Sequence, residues 1–220
     1  MKKRILIVGG GLAGIAAAVR VAQADCEPIL IETKKRLGGR ATSLVDPRSG
    51  FTIDNCQHVL MGCCTNLIDL YDRLGVMDRI QWHDKLFWTR NGIDVSVMKN
   101  GWLPAPLHQS GSFRRMRIFS HGEKRHIARA MWRIIRMGSR GRFTWRDRTF
   151  SQFLGECRQP PELIRSFWNT VIVSACNLPV DRVAASHAIQ VFQEGFLASK
   201  WSVTMGLPGV PLGELYDAAF

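Results

Sequence analysis

Three glycines and one acid near the start of the chain have the types and spacing needed to hold a nucleotide. Gly9, Gly11 and Gly14 form a G-x-G-x-x-G run, and Glu32 lies 23 residues after Gly9. Gly9 permits a sharp turn, Gly11 lets a pyrophosphate approach the backbone, and Gly14 lets a helix pack closely on a strand. The carboxylate of Glu32 can accept hydrogen bonds from a ribose. Together these residues predict a dinucleotide-binding site.

The elements around these residues come in the order that such a site needs. Ile5–Val8 is apolar and suits a buried strand, Ile15–Ala24 predicts a helix, and Ile29–Ile31 predicts a second strand that ends at the acid. A secretory leader is the alternative, because Lys2-Lys3-Arg4 is basic and Ala22-Gln23-Ala24 fits a cleavage site. Four glycines in the apolar stretch and the second strand favour the nucleotide interpretation.

A second glycine turn follows the acid. Glu32 is separated by a short basic spacer from Gly38, Gly39 and Arg40. The glycines permit close backbone approach, and the guanidinium can pair with a phosphate. This run resembles the second motif of the amine oxidase and phytoene desaturase group of flavoproteins, whose loop lies along the diphosphate and ribityl part of FAD. The resemblance implies FAD rather than NAD; the alternative is a surface turn with a solvated Arg40.

A polar cluster is the candidate for catalysis. Asp54, Gln57 and His58 follow a short predicted strand, so an acid, an amide and an imidazole occur together. Histidine can carry a proton near neutral pH, which makes His58 a candidate acid. The alternative is a polar turn with His58 hydrogen-bonded in a crevice. Six cysteines show neither C-x-x-C nor zinc-ligand spacing, so we predict no metal site and reduced thiols in a cytoplasmic protein.

The positive charge of the chain is concentrated in one region. Residues 114–148 contain twelve Lys and Arg against two acids, a net of +10 out of +12 for the whole chain. A helix over about 121–138, with Trp132 among its arginines, suits the surface of an anionic membrane. The alternative is an ordinary helix with a solvated basic face. We predict no nucleic-acid partner, because no nucleic-acid-binding motif accompanies the charge.

These features predict an α/β fold in two parts. Residues 1–66 would form the N-terminal part of a Rossmann-like FAD-binding domain, left incomplete in this sequence. Residues 67–220 would form a mainly helical (α+β) domain that faces substrate and membrane. In that domain we predict an antiparallel meander over about 80–103, the basic helix, and further helices over about 161–195.

The chain resembles the hydroxysqualene dehydroxylases, also called squalene-associated FAD-dependent desaturases, within the phytoene desaturase group. The resemblance implies reduction of hydroxysqualene to squalene in hopanoid biosynthesis, with FAD as cofactor and an isoprenoid lipid as substrate. The basic helix fits such a substrate, and we therefore expect a peripheral protein on the inner face of the cell membrane. Besides the nucleotide motifs, the residues that carry it are Asp54 to His58, Leu103 to His108, Phe167-Trp168-Asn169, Ala175-Cys176-Asn177 with Pro179, Gln190-Val191-Phe192 and Val210-Pro211-Leu212.

Two departures from that family leave alternatives open. Cys56 stands where the family usually has glycine. Family members are about twice as long, and this sequence stops about where their chain should return to the FAD domain. We therefore expect an N-terminal half, and its inactivity by itself is one alternative. The alternatives are a phytoene desaturase-like or amine oxidase-like flavoenzyme, or a non-catalytic remnant that binds membrane through its basic helix.

Overall fold

The chain folds into two compact units. The computed structural model describes residues 2–55, 59–90, 92 and 94–217. The first unit comprises Met1–Leu60, Cys64–His83 and Met205–Phe220, and the second comprises Met61–Cys63 and Asp84–Thr204. The predicted boundary after residue 66 is therefore corrected. The first unit continues to His83, and a segment that returns after the second unit completes it.

Strands and helices alternate at the start of the chain, and helices dominate from residue 110 onward. The strands are β1 (Arg4–Val8), β2 (Glu27–Ile31), β3 (Ser43–Val45), β4 (Thr52–Asp54), β5 (Leu60–Met61), β6 (Ile80–His83), β7 (Lys85–Arg90), β8 (Asp94–Lys99) and β9 (Met205–Pro208). The helices are α1 (Leu12–Gln23), α2 (Thr65–Arg73), α3 (Ser110–Arg115), α4 (His121–Gly141), α5 (Phe150–Glu156), α6 (Pro161–Leu163), α7 (Asn169–Cys176), α8 (Ala185–Gln190) and α9 (Glu214–Asp217). Two π-helical segments, Ile164–Trp168 and Val191–Leu197, continue α6 and α8.

The first strand, helix and strand form the predicted dinucleotide-binding arrangement. β1 and β2 are parallel, with Arg4 opposite Glu27 and Val8 opposite Ile31. Parallel neighbours need a crossover, and α1 supplies it. Ile15 of this helix is fully buried. The residues that the alternative assigned to a secretory leader therefore lie within this unit. The predicted helix and strands are confirmed, but the expectation that the first strand is buried is wrong, because four of the five residues of β1 are exposed.

The predicted three-stranded meander is wrong. β7 and β8 do form an antiparallel hairpin, with Lys85 opposite Lys99. β6, however, pairs with β9, and β9 lies between β5 and β6 in a separate sheet. An alternating pattern predicts that a strand forms but does not specify its partner, so a non-local pairing is invisible to it. The expectation that the sequence stops about where the chain returns to the first unit is corrected, because the segment from Met205 onward already belongs to that unit.

The returning segment supplies much of the core of the first unit. Leu212, Leu215 and Tyr216 are almost completely buried, in a cluster with Ile15 of α1 and residues of α2 and β6. The hydroxyls of Tyr71 and Tyr216 lie 2.8 Å apart and form a hydrogen bond within this core. Burial raises the pKa of both phenols, so both stay neutral and can share the bond.

The second unit has its own aromatic core. Trp168 is fully buried, with the rings of Phe150, Phe167 and Phe192 at centroid distances of 5.9, 4.9 and 5.1 Å. Its indole Nε1 donates a hydrogen bond of 2.9 Å to Gln159, so the buried polar group is satisfied. The helices predicted over 161–195 are confirmed as two helical stretches, separated by a loop that begins at Asn177 with a left-handed backbone.

The predicted basic helix is confirmed as α4. Ser120 caps its start, accepting a hydrogen bond from the Glu123 N–H (3.2 Å), while the Glu123 carboxylate accepts one from the Ser120 N–H (2.8 Å). This capping box satisfies two donors at the helix start. Helical geometry is interrupted at Gly138, whose φ is +65°. Of the helices in the described ranges, none is both long and apolar enough to cross a bilayer.

Candidate functional site

The glycine loop joins β1 to α1 and has the geometry that its sequence predicts. Gly9 has a φ of +101°, which favours glycine, and its N–H donates to the Ile31 carbonyl (2.7 Å). A Cβ atom at Gly14 would overlap the Gly9 carbonyl oxygen, so Gly14 is needed for the helix to approach the turn. A Cβ at Gly11, in contrast, would meet nothing within 4 Å. Gly11 therefore borders open space.

The start of α1 lies at this open space and carries no cap of its own. Gly11 is the N-cap residue, with an extended backbone and no side chain to accept a hydrogen bond, and the first turn contains no acid. The first intrahelical bond runs from Ile15 N–H to the Gly11 carbonyl (2.9 Å). The N–H groups of the first turn and the positive end of the helix dipole are thus available to an anion.

Glu32, at the end of β2, is held against the glycine loop. Its Oε2 accepts a hydrogen bond from the Gly10 N–H (2.7 Å), and its Oε1 accepts from the Lys34 N–H (2.9 Å) and the Thr33 hydroxyl (3.0 Å). These bonds, the one from Lys34 foremost, lower the pKa of Glu32 to about 2. The side chain is therefore a charged acceptor at neutral pH, and of its roughly four lone-pair sites one, on Oε2, is left for a ribose hydroxyl.

The second glycine turn touches the first. Gly38 donates its N–H to the Gly10 carbonyl (2.8 Å), and a Cβ at Gly39 would lie 3.1 Å from the Cα of Gly11. Both Gly38 and Gly39 have positive φ, +92° and +64°. Arg40 is exposed, and its guanidinium has no partner among the described residues. The structure thus brings the two glycine turns and Glu32 into contact with one another.

The polar cluster is described only in part. Gln57, His58 and Cys56 lie outside the described residues, so their predicted roles stay predictions. Asp54 is the last residue of β4, and its carboxylate accepts hydrogen bonds from the Ser43 hydroxyl (2.6 Å) and the Leu212 N–H (3.0 Å). Asp54 therefore binds the segment that returns to the first unit. The neighbouring residues in the sequence did not predict this structural role.

Two further residues of the site were missed by the sequence analysis. Gly10 occupies a variable position of the motif, yet a Cβ there would lie 2.6 Å from Leu37 and 3.2 Å from Glu32. The ring of Tyr216 borders the second turn, since a Cβ at Gly38 would lie 2.8 Å from its Cδ2. No local signal could have linked Tyr216 to Gly38, because the two are far apart in sequence.

No candidate metal centre accompanies these loops. Within residues 2–55, 59–90, 92 and 94–217, no group of three or more His, Cys, Asp and Glu side chains is arranged to hold a metal ion.

A family model covers this site. Residues 7–74 match the family described as NAD(P)-binding Rossmann-like domain. The chain contains a Rossmann-like dinucleotide-binding domain. This match includes both glycine turns and Glu32. The predicted fold class is confirmed.

Curated relatives of the Rossmann-like domain are carotenoid desaturases. The 15-cis-phytoene desaturase of Narcissus pseudonarcissus is 35% identical over 85 residues, which are 38% of this chain and 15% of the relative. That of Synechococcus elongatus is 34% identical over 86 residues, 38% and 18% of the two chains. The zeta-carotene desaturase of Zea mays is 32% identical over 116 residues, 52% and 20%. The matched segment is thus a small part of each relative.

Solved structures extend the likeness beyond the Rossmann-like domain. An oxidoreductase from Methanosarcina mazei has a TM-score of 0.63 at 16% identity, covering 98% of this chain and 48% of that one. A putrescine oxidase bound to putrescine has a TM-score of 0.63 at 16% identity, covering 100% and 49%. The chain spans about half the length of these proteins. At 16% identity these likenesses show a shared fold.

Proposed function

We propose that the chain belongs to an FAD-dependent oxidoreductase that acts on an isoprenoid lipid. The observation that carries the proposal is the open space at Gly11. The uncapped start of α1 lies there, the ionised carboxylate of Glu32 is bound to the neighbouring Gly10, and Arg40 is exposed on the adjoining second turn. A dinucleotide offers matching groups, namely two phosphates and a ribose with hydroxyl donors.

Different groups of the first unit fit different parts of FAD. The start of α1 and the backbone at Gly11 would hold the pyrophosphate, and Glu32 would accept bonds from the adenosine ribose. Arg40 on the second turn adds a positive charge beside the same space. When bound, FAD supplies reversible transfer of two electrons. The support for FAD over NAD is the resemblance of Gly38, Gly39 and Arg40 to the second motif of the amine oxidase and phytoene desaturase group.

The Glu32→Gln variant tests the cofactor site. We expect its affinity for FAD to fall on the order of tenfold or more, because a charged acceptor is replaced by a neutral amide. The measurement is quenching of flavin fluorescence as FAD is titrated against the 220-residue chain. Glu27→Gln is the matched control, since Glu27 is exposed at the other end of β2. If the unaltered chain is folded by circular dichroism yet binds no FAD, the proposal is wrong for this chain.

For the reaction itself, we propose reductive removal of the hydroxyl of hydroxysqualene. An alcohol, two electrons and two protons give the hydrocarbon and water, so the site needs an electron donor and an acid. His58 is the proposed acid, with Gln57 and Asp54 beside it in sequence. The support is the resemblance of the motifs quoted above. Two of those residues have structural contacts, however: Trp168 is core, and Asn169 Oδ1 accepts from the Val180 N–H (3.1 Å).

A phytoene desaturase-like activity is the second candidate, favoured by the similarity to the desaturases of Narcissus and Zea. The discriminating assay offers the FAD-loaded chain hydroxysqualene under a chemical reductant, or phytoene with a quinone acceptor, and identifies the products. Squalene supports the first proposal, and a dehydrogenated carotene supports the second. Neither product, with FAD bound, supports the non-catalytic alternative.

The His58→Ala variant tests the proposed role of His58 as the acid. If squalene forms, we expect His58→Ala to lower turnover by about 10²–10⁴-fold while FAD stays bound, because proton transfer by a positioned side chain contributes about that much. His83→Ala is the control, since His83 is an exposed histidine of β6 in the same unit. Full turnover by the His58→Ala chain would assign the acid to another group.

A further inference from the structure

One face of α4 carries a row of exposed cations with a tryptophan at its centre. Its residues recur at intervals of three or four, so they lie on one side of the helix. We call this the basic face, and it consists of Arg125, Arg129, Trp132 and Arg136, all exposed and all before the interruption at Gly138. The opposite side buries Ile127, Ala130 and Ile134 in the core of the second unit. The packing of α4 therefore fixes which side faces outward.

The fold accounts for some of the local charge but not for this face. Four of the twelve cations in residues 114–148 make ion pairs: Arg133 and Arg148 with Glu156, Arg142 with Glu194, and Arg146 with Asp147. In the described parts of the chain, no carboxylate pairs with an arginine of the basic face. Glu123, the one acid in the sequence of α4, is bound by Arg90 and Ser120. A cluster of unpaired like charges raises the energy of the folded chain unless a partner neutralises it.

A groove at the start of α4 adds apolar surface next to these cations. It has a volume of about 450 Å³ and is lined by Phe113, Arg114, His121, Lys124, Arg125 and Ala128. The Lys124 ammonium donates to the Arg114 carbonyl (2.9 Å), which fixes the two sides of the groove. Apolar side chains thus lie directly beside cationic ones. An amphiphile offers matching groups, because its charged headgroup is attached directly to methylene groups.

We propose that the basic face lies flat on an anionic lipid surface. The row from Arg125 to Arg136 extends about 16 Å along the helix, so its three arginines can meet several headgroup phosphates at once. Trp132 is 56% exposed, and its amphipathic ring suits the level of the headgroups. A nucleic-acid duplex would offer phosphates without hydrocarbon on its outer surface. The docked chain would be a peripheral protein on the anionic cytoplasmic leaflet, and nothing in this docking depends on the flavin.

Vesicle binding tests the proposal. The unaltered chain is mixed with vesicles of phosphatidylcholine alone or with added phosphatidylglycerol, and the bound fraction is measured by flotation. We expect binding to the anionic vesicles only, with release at high salt, because the Debye length falls from about 10 Å at 0.1 M to about 3 Å at 1 M. Replacing Arg125, Arg129 and Arg136 by glutamine should weaken binding on the order of a hundredfold.

The control carries the same charge change on the same unit. Lys85→Gln, Lys99→Gln and Arg182→Gln alter exposed cations elsewhere in the second unit and should leave binding within a few-fold of the unaltered chain. Equal losses in both triple variants would mean that net charge, and not this face, governs binding. No binding to anionic vesicles would overturn the proposal, and tighter binding to a nucleic-acid duplex would assign the face to that partner. Circular dichroism confirms that each variant is folded.

Discussion

A Gly14→Ala chain is expected to lose its FAD and to unfold its first unit under milder conditions. The added Cβ would overlap the Gly9 carbonyl oxygen and lie 3.0 Å from the carbonyl carbon. These backbone atoms cannot simply move, because the Gly9 N–H is bonded to Ile31 in the neighbouring strand. The overlap can therefore be relieved only if α1 shifts away from β1, at the point where the pyrophosphate would bind. We expect a destabilisation of about 1–3 kcal/mol, as for an overpacked core position.

Urea unfolding and FAD titration of the two chains measure this effect. Gly155→Ala is the matched control: it also adds one methyl to a glycine in a helix, but its Cβ meets nothing within 4 Å. That variant should be neutral or more stable by about 0.5–1 kcal/mol, since alanine loses less backbone entropy in a helix. Unchanged stability and FAD affinity in Gly14→Ala would show that the loop relaxes freely.

Trp168→Ala should be the most damaging single change in the second unit. It removes a fully buried indole that contacts three aromatic rings and leaves the Gln159 amide, itself buried, without its donor. Truncation of a buried tryptophan costs about 3–5 kcal/mol. The expected result is a loss of that size in the free energy of unfolding, measured in urea by far-ultraviolet circular dichroism.

Another tryptophan provides the control for this change. Trp102 is 88% exposed, so Trp102→Ala should alter the free energy of unfolding by less than about 0.5 kcal/mol. A Trp168→Phe variant separates the loss of packing from the loss of the hydrogen bond. It keeps most of the packing but leaves Gln159 Oε1 without its donor, at a cost of about 1–3 kcal/mol. A small effect of Trp168→Ala would mean that the aromatic core collapses around the gap.

The cofactor loops could be predicted from the sequence because their determinants are local. The turn at Gly9, the start of α1 and the acid at Glu32 all lie within one strand, one helix and one further strand. The glycines of the motif predict a sharp turn and a close approach of helix and strand, and both are present in the structure. Even there the motif missed Gly10, whose need for glycine arises from Leu37 and Glu32 packing over it.

The contacts that close the first unit could not be predicted, because they join distant parts of the sequence. β6 pairs with β9, Tyr71 bonds to Tyr216, and Asp54 binds the Leu212 N–H. Periodicity and turn chemistry describe segments of up to about twenty residues and contain no information on such partners. For the same reason the count of basic residues predicted a charged helix but could not separate Arg133, paired with Glu156, from the unpaired Arg129.

The pairing of β6 with β9 has a consequence for how this architecture can diversify. His83 lies opposite Met205 in that antiparallel pair, so the chain departs for residues 84–204 and comes back at adjacent points. Apart from the short Met61–Cys63 segment, the second unit is thus inserted where a simple hairpin would need only a tight turn. Insertions at such closely spaced ends are well tolerated. Residues 84–204 can therefore be exchanged for another insertion, in evolution or by design, without changing the sequence or the strand pairing of the first unit.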